Sequence, residues 1–145
     1  MRSLVRLGVL GLGLGLGTGA AMAQDGPDCD DPQTQLDMTI CSAEAAGRLD
    51  ERLNTLWDEA SRIARERQGE LRADAYNPLS EDDDGPWDAL LKAQRGWIAY
   101  KDNHCALTGL QFYGGSMRPQ VENDCLAGLT AARIAELEAF INPEP

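Results

Sequence analysis

Residues 34–67 read TQLDMTICSAEAAGRLDERLNTLWDEASRIARER. Apolar or small side chains fall at Leu36, Ile40, Ala43, Leu49, Leu53, Leu56, Ala60 and Ile63, mostly three or four apart. Asp50, Glu51, Asn54, Asp58, Arg62 and Glu66 take the other side. A period of 3.6 residues is that of an amphipathic α-helix, which must bury its apolar face against partners. Its start is marked twice: by Asp31 ahead of Pro32, and by Thr34 three residues ahead of Asp37, since a short oxygen-bearing side chain satisfies the free N–H groups of a first turn. Asp58 and Arg62 stand in the favourable acid-first i,i+4 order. Gly47 is the position at which this helix either bends or divides.

Downstream, the periodicity stops between Gly69 and Pro86, where Asn77-Pro78 and Ser80-Glu81-Asp82-Asp83-Asp84-Gly85-Pro86 form a turn-rich acidic loop. The run lacks the alternating ligands, central Gly and twelfth-position Glu of a calcium loop, so it reads as a solvated charge run with helix capping. A second helix is predicted from Trp87 to about Asn103, its broad face built from Trp87, Leu90, Leu91, Gln94, Trp97, Ile98 and Lys101. The segment Gly109–Pro119 is irregular and partly apolar. A last helix, from about Gln120 to Phe140, turns Val121, Leu126, Leu129, Ile134 and Leu137 inward. No stretch alternates with the period of a strand. The fold class is all-α, a small antiparallel bundle of three to four helices.

Upstream, residues 1–23 read as a leader. Arg2 and Arg6 give a positive start, Leu7–Gly17 holds only Leu, Val and Gly, and Ala21-Met22-Ala23 offers the small-x-small pattern of a cleavage site. The apolar run is too short to span a bilayer core of about 30 Å. Cys29 follows Pro27-Asp28 rather than small apolar residues, so there is no lipobox. The expected product is a single domain over 24–145, periplasmic or secreted and not membrane-spanning. The whole chain carries 24 acids against 13 bases, a net charge of −11; without Arg2 and Arg6 the balance is 24 against 11, or −13. Such a surface repels nucleic acid and anionic lipid while keeping a protein soluble and attracting basic partners.

All four cysteines, Cys29, Cys41, Cys105 and Cys125, lie in the expected product. Without a C-x-x-C pair, and with His104 the only histidine, they read as disulfides rather than as a metal site. Of the three pairings, the short loops Cys29–Cys41 and Cys105–Cys125 are preferred, each worth about 3 kcal/mol in the chain-entropy model. No nucleophile elbow, zinc-protease motif or phosphate-binding Gly loop is present. The sequence nominates no catalytic residue, no metal and no cofactor, and the protein reads as a binding protein rather than an enzyme.

Four motifs follow in order: Thr34-Gln35 with Met38 and Cys41; Leu53-Asn54 with Trp57; Gln94-Arg95 with Trp97, Tyr100, Lys101, Asp102 and Cys105; and Cys125-Leu126 with Thr130, Arg133 and Leu137. Together they resemble the LprI family of lysozyme inhibitors along essentially the whole domain, with Trp57 where Tyr is usual and Lys101 where Arg is common. The resemblance implies an exported inhibitor that binds lysozyme, a basic enzyme in animals, and shields the cell wall. The alternative is a periplasmic interaction or scaffold protein with another envelope partner. Of the motif residues, Gln94, Trp97, Tyr100, Asp102 and Arg133 are read as fold-specifying: Trp97 and Tyr100 filling core, Arg133 pairing with Asp102 or Asp50. Partner contact is assigned first to Phe112, Tyr113, Ser116 and Arg118 in the loop between Cys105 and Cys125, since a tethered loop binds at lower ordering cost. The acidic run Glu81, Asp82, Asp83 and Asp84 is the second contact candidate.

Overall fold

The computed structural model describes residues 26–143; the leader expected at 1–23 lies outside the described residues. Among the described residues the chain forms three helices, α1 (Gln35–Arg72), α2 (Pro86–Leu110) and α3 (Arg118–Ile141). The architecture is the all-α, disulfide-linked bundle expected from the periodicity, in its three-helix form. α2 runs back along α1, and α3 then runs parallel to α1. Gln35 at the start of α1 donates to Gln120 at the start of α3 (2.8 Å), and Arg52 meets Glu138 further along both. The largest helix–helix contact is therefore between α1 and α3.

Of the two candidate starts for α1, Thr34 is the one used. Its Oγ1 accepts from Asp37 N–H (3.1 Å) and its own N–H donates to the Asp37 carboxylate (3.0 Å), a reciprocal capping box. The helix does not divide at Gly47: α1 is continuous from Gln35 to Arg72. The cost of one glycine, about 1 kcal/mol against alanine, is carried by Ala45 and Ala46 beside it and by the long apolar face beyond. α1 ends in a turn fastened by Asp74, whose carboxylate accepts from the N–H groups of Asn77 (2.9 Å) and Tyr76 (2.8 Å). Those bonds hold its acid below the ordinary carboxylate value.

α2 begins at Pro86, but Gly85 before it has no side chain with which to cap. The cap comes from α1 instead. The buried Gln68 presents Oε1 to the N–H groups of Trp87 (2.9 Å) and Asp88 (3.3 Å). A Cβ on Gly85 would lie 2.5 Å from that same oxygen, so the glycine makes room for the capping amide. α2 continues well beyond Asn103, through Cys105 and Gly109 to Leu110, and the connection to α3 is correspondingly shorter than the sequence suggests. Both expected bridges form: Cys29–Cys41 ties the N-terminal segment to α1, and Cys105–Cys125 ties α2 to α3.

The core is built on Leu53, Ala60, Ile134 and Leu137, with Leu49, Leu56, Trp57, Leu90, Trp97, Phe140 and Ile141 packed around it. Ala60 and Ala64 are fully buried, so α1 and its neighbours approach closely there. Leu36 departs from the expected inward face and is 66% exposed. Gln35 faces α3, and the next residue on a helix lies about 100° away. Arg62 pairs with Glu66 (2.9 Å) rather than Asp58.

Candidate functional site

Gln94 and Arg133, set on α2 and α3, meet inside the bundle, each 8% exposed. Arg133 Nε donates to Gln94 Oε1 (2.9 Å), and one Nη donates to Glu136 (2.7 Å). The second Nη is buried without a partner, as is the hydroxyl of Ser61 on α1. Arg133 does not pair with Asp102 or Asp50. The Cys105–Cys125 bridge fixes the antiparallel register of α2 and α3, and that register sets Arg133 near Gln94, about two turns from Asp102 on α2. Lys101 takes those acids instead, with Nζ 4.0 Å from Asp50 and 3.9 Å from Asp102, and lies 5.0 Å above the Trp97 ring. Trp97 is half-buried against the core. Tyr100 does not fill core: it is 55% exposed and stacks on His104 with ring centroids 5.2 Å apart. Asp102 is exposed.

The two candidate contact regions lie at opposite ends of the bundle. They are separated by the length of α2, about 37 Å at 1.5 Å per residue. At the disulfide end the connection of α2 to α3 is a tight turn. Phe112 N–H donates to Gly109 O and Gly115 N–H to Phe112 O, both at 2.9 Å. Gly114 sits at φ +76°, a conformation that L side chains rarely adopt. Tyr113 projects from this turn at 79% exposure, Phe112 is at the boundary of exposure, and Ser116 is exposed. Arg118 lies within the segment closed by Cys105–Cys125 but not in the turn itself. It opens α3 and its Nε donates to Glu122 (2.8 Å), which occupies its charge. Leu107 and Leu110 on α2 and Met117 add exposed apolar surface at this end. Leu110 and Met117 fall in the partly apolar segment 109–119 that the sequence marks, whereas Leu107 and Leu110 share a helix face that shows only once α2 is followed to its end at Leu110.

At the other end Glu81, Asp82, Asp83 and Asp84 are all exposed, but the run is not free of counter-charge. Lys92 reaches Asp84 Oδ1 at 2.7 Å, Arg72 stands 3.8 Å from Asp88, and Arg65 covers the Trp87 ring. Among the described residues no three His, Cys, Asp or Glu side chains converge as metal ligands would. No described helix is long and apolar enough to cross a membrane. The geometry offers surfaces for a partner.

The family model for lysozyme inhibitor LprI matches residues 29–137, from the first cysteine to the buried Leu137. The chain belongs to the LprI family. The match takes in both disulfides, the Gln94–Arg133 contact and the exposed turn. An uncharacterized protein from Rhizobium meliloti (strain 1021) is similar to this LprI member, 37% identical over 135 residues that cover 91% of each chain. No solved structure matches it. The family's name is that of an inhibitor, a class that acts by binding a protein partner rather than by catalysis, and it suggests export.

Proposed function

We propose that the protein is exported, begins at Gln24 after removal of the leader, and binds and blocks lysozyme so that the cell wall is spared. The observation that carries this reading is the match to the lysozyme inhibitor LprI family over residues 29–137. The physical character of the molecule supports it. A bundle clamped by two disulfides keeps its shape in an oxidising compartment. A net charge of −13, once Arg2 and Arg6 leave with the leader, draws in basic enzymes over long range. The buried Gln94–Arg133 contact serves the fold, so binding falls to the surface.

The test is turbidimetric. The purified protein over 24–145 is added in increasing molar ratio to a basic lysozyme acting on a cell-wall suspension at low ionic strength. Lysis is expected to fall in a saturable way as the ratio passes one. Undiminished lysis at large excess refutes the reading.

A further inference from the structure

Lysine and arginine are distributed very unevenly along this bundle. Residues 26–47 contain neither, and residues 102–132 contain only Arg118. These segments are the N-terminal strap with the first turns of α1, the end of α2 with the turn, and the start of α3. They make up the disulfide end of the molecule. The single cation there is held by Glu122 at 2.8 Å. Asp28, Asp30, Asp31 and Asp124 at the same end are exposed, and no lysine or arginine pairs with them among the described residues. All other cations of the described residues lie at 48–72, 92–101 and 133; the stretch 73–91, which holds the acidic run, contains none, but cations flank it closely on both sides. The disulfide end thus holds eight acids against one base, and the rest of the described residues fourteen against ten, so the net negative charge is weighted toward this end.

That same end carries most of the exposed large apolar side chains: Tyr113 at 79%, Leu36 at 66% and Leu107 at 63%, with Leu110, Phe112 and Met117 also exposed, whereas the other end has Tyr76 and Leu71. An amphipathic tyrosine on a tight, tethered turn has the character of an interface anchor, and unpaired rim carboxylates speed and orient the approach of a basic partner. We infer that the disulfide end is a docking surface for a basic protein, with Tyr113 as its anchor and Asp30, Asp31 and Asp124 among its steering charges. Charge complementarity selects the occupant: a protein whose lysines and arginines surround an apolar depression. The acidic run at 81–84 is the competing surface: Lys92 pairs with Asp84 and Arg72 with the neighbouring Asp88, while Glu81, Asp82 and Asp83 are exposed without a cation among the described residues, and fewer exposed apolar side chains surround them. The inference rests on the lysozyme reading for its first probe and is separable from it.

The experiment compares two triple variants of equal charge change: Asp30→Asn with Asp31→Asn and Asp124→Asn at the disulfide end, and Glu81→Gln with Asp82→Asn and Asp83→Asn at the other. Tyr113→Ala is measured beside them, with far-UV circular dichroism and melting confirming that each variant is folded. Binding to a basic lysozyme and to cytochrome c, a basic protein unrelated to lysozyme, is measured by calorimetry at low ionic strength, and lysis is followed in parallel. The disulfide-end triple and Tyr113→Ala are each expected to weaken lysozyme binding about tenfold, the first effect fading in high salt, with the distal triple within about twofold of the parent. Equal losses from both triples, or loss confined to the distal one, overturn the docking surface. So does the failure of both basic proteins to bind. If lysozyme or cytochrome c binds at the disulfide end while lysis proceeds undiminished, the lysozyme-inhibitor reading fails and the docking surface stands.

Discussion

Arg133 is the residue whose environment is least comfortable. Its guanidinium is nine-tenths buried, one Nη has no partner, and only Gln94 and the exposed Glu136 answer the rest. A buried cation is expensive when its partners are removed, whereas replacing the whole polar contact by apolar groups of similar volume is cheap. Gln94→Leu is therefore expected to cost about 1–3 kcal/mol, because it strands a second N–H of a buried charge. Adding Arg133→Met to that variant is expected to restore part of the loss. Urea denaturation of the parent, the two single variants and the double variant measures the coupling. A double variant that shows only the sum of the two single losses contradicts the account. The same logic explains why Gln94 and Arg133 stand out in the sequence while their partnership does not. A polar residue on an apolar helix face is visible as an exception, but its partner depends on a register that no local pattern contains.

At the scale of elements, the helices were legible and their joints were not. The periodicity of Leu49, Leu53, Leu56, Ala60 and Ile63 announces α1 because a long amphipathic face repeats the same signal several times over. The end of α2 was placed too early because Asn103, His104, Thr108 and Gly109 are weak helix formers. What holds them helical is tertiary: the buried Cys105 and its bridge to Cys125. Likewise the cap on α2 comes from Gln68, which lies on another helix and carries no local signature. Export rests on the leader pattern and on the family match, and the contact surface is only half visible in the sequence, since Tyr113 can be named from the loop but the face shared by Leu107 and Leu110 cannot. The two bridges differ in what they constrain. Cys105–Cys125 closes a loop between two packed helices, so its removal as Cys105→Ser with Cys125→Ser is expected to lower stability by about 3 kcal/mol. Cys29–Cys41 tethers a segment that is mostly exposed. Without it the folded state regains freedom along with the unfolded one, and the difference largely cancels. Cys29→Ser with Cys41→Ser is expected to shift the denaturation midpoint by less than half as much, while hydrogen exchange at residues 30–36 accelerates. Equal losses from the two pairs would mean that the N-terminal strap is part of the cooperative unit.

For the whole molecule, charge acts in two opposing ways. The excess of acids, 24 against 13 bases, makes the folded chain repel itself, because folding brings like charges closer together. The favourable ion pairs do little to offset this. Arg48–Glu44 and Arg62–Glu66 are more than half exposed on both sides, and pairs of that kind are worth at most a fraction of a kcal/mol. Raising the ionic strength from about 0.05 to 0.5 M shortens the screening length severalfold. It therefore removes more repulsion than attraction within the chain and is expected to raise the melting temperature by about 2–5 °C. The same change screens the field that steers a basic partner toward the disulfide end and is expected to weaken that association at least tenfold. Stability and binding should thus move in opposite directions along one salt titration, followed by melting curves on the free protein and by calorimetry with the basic lysozyme. A melting temperature that falls with salt would mean that the surface ion pairs outweigh the net charge. Binding that ignores salt while melting rises would assign recognition to the apolar turn around Tyr113 alone.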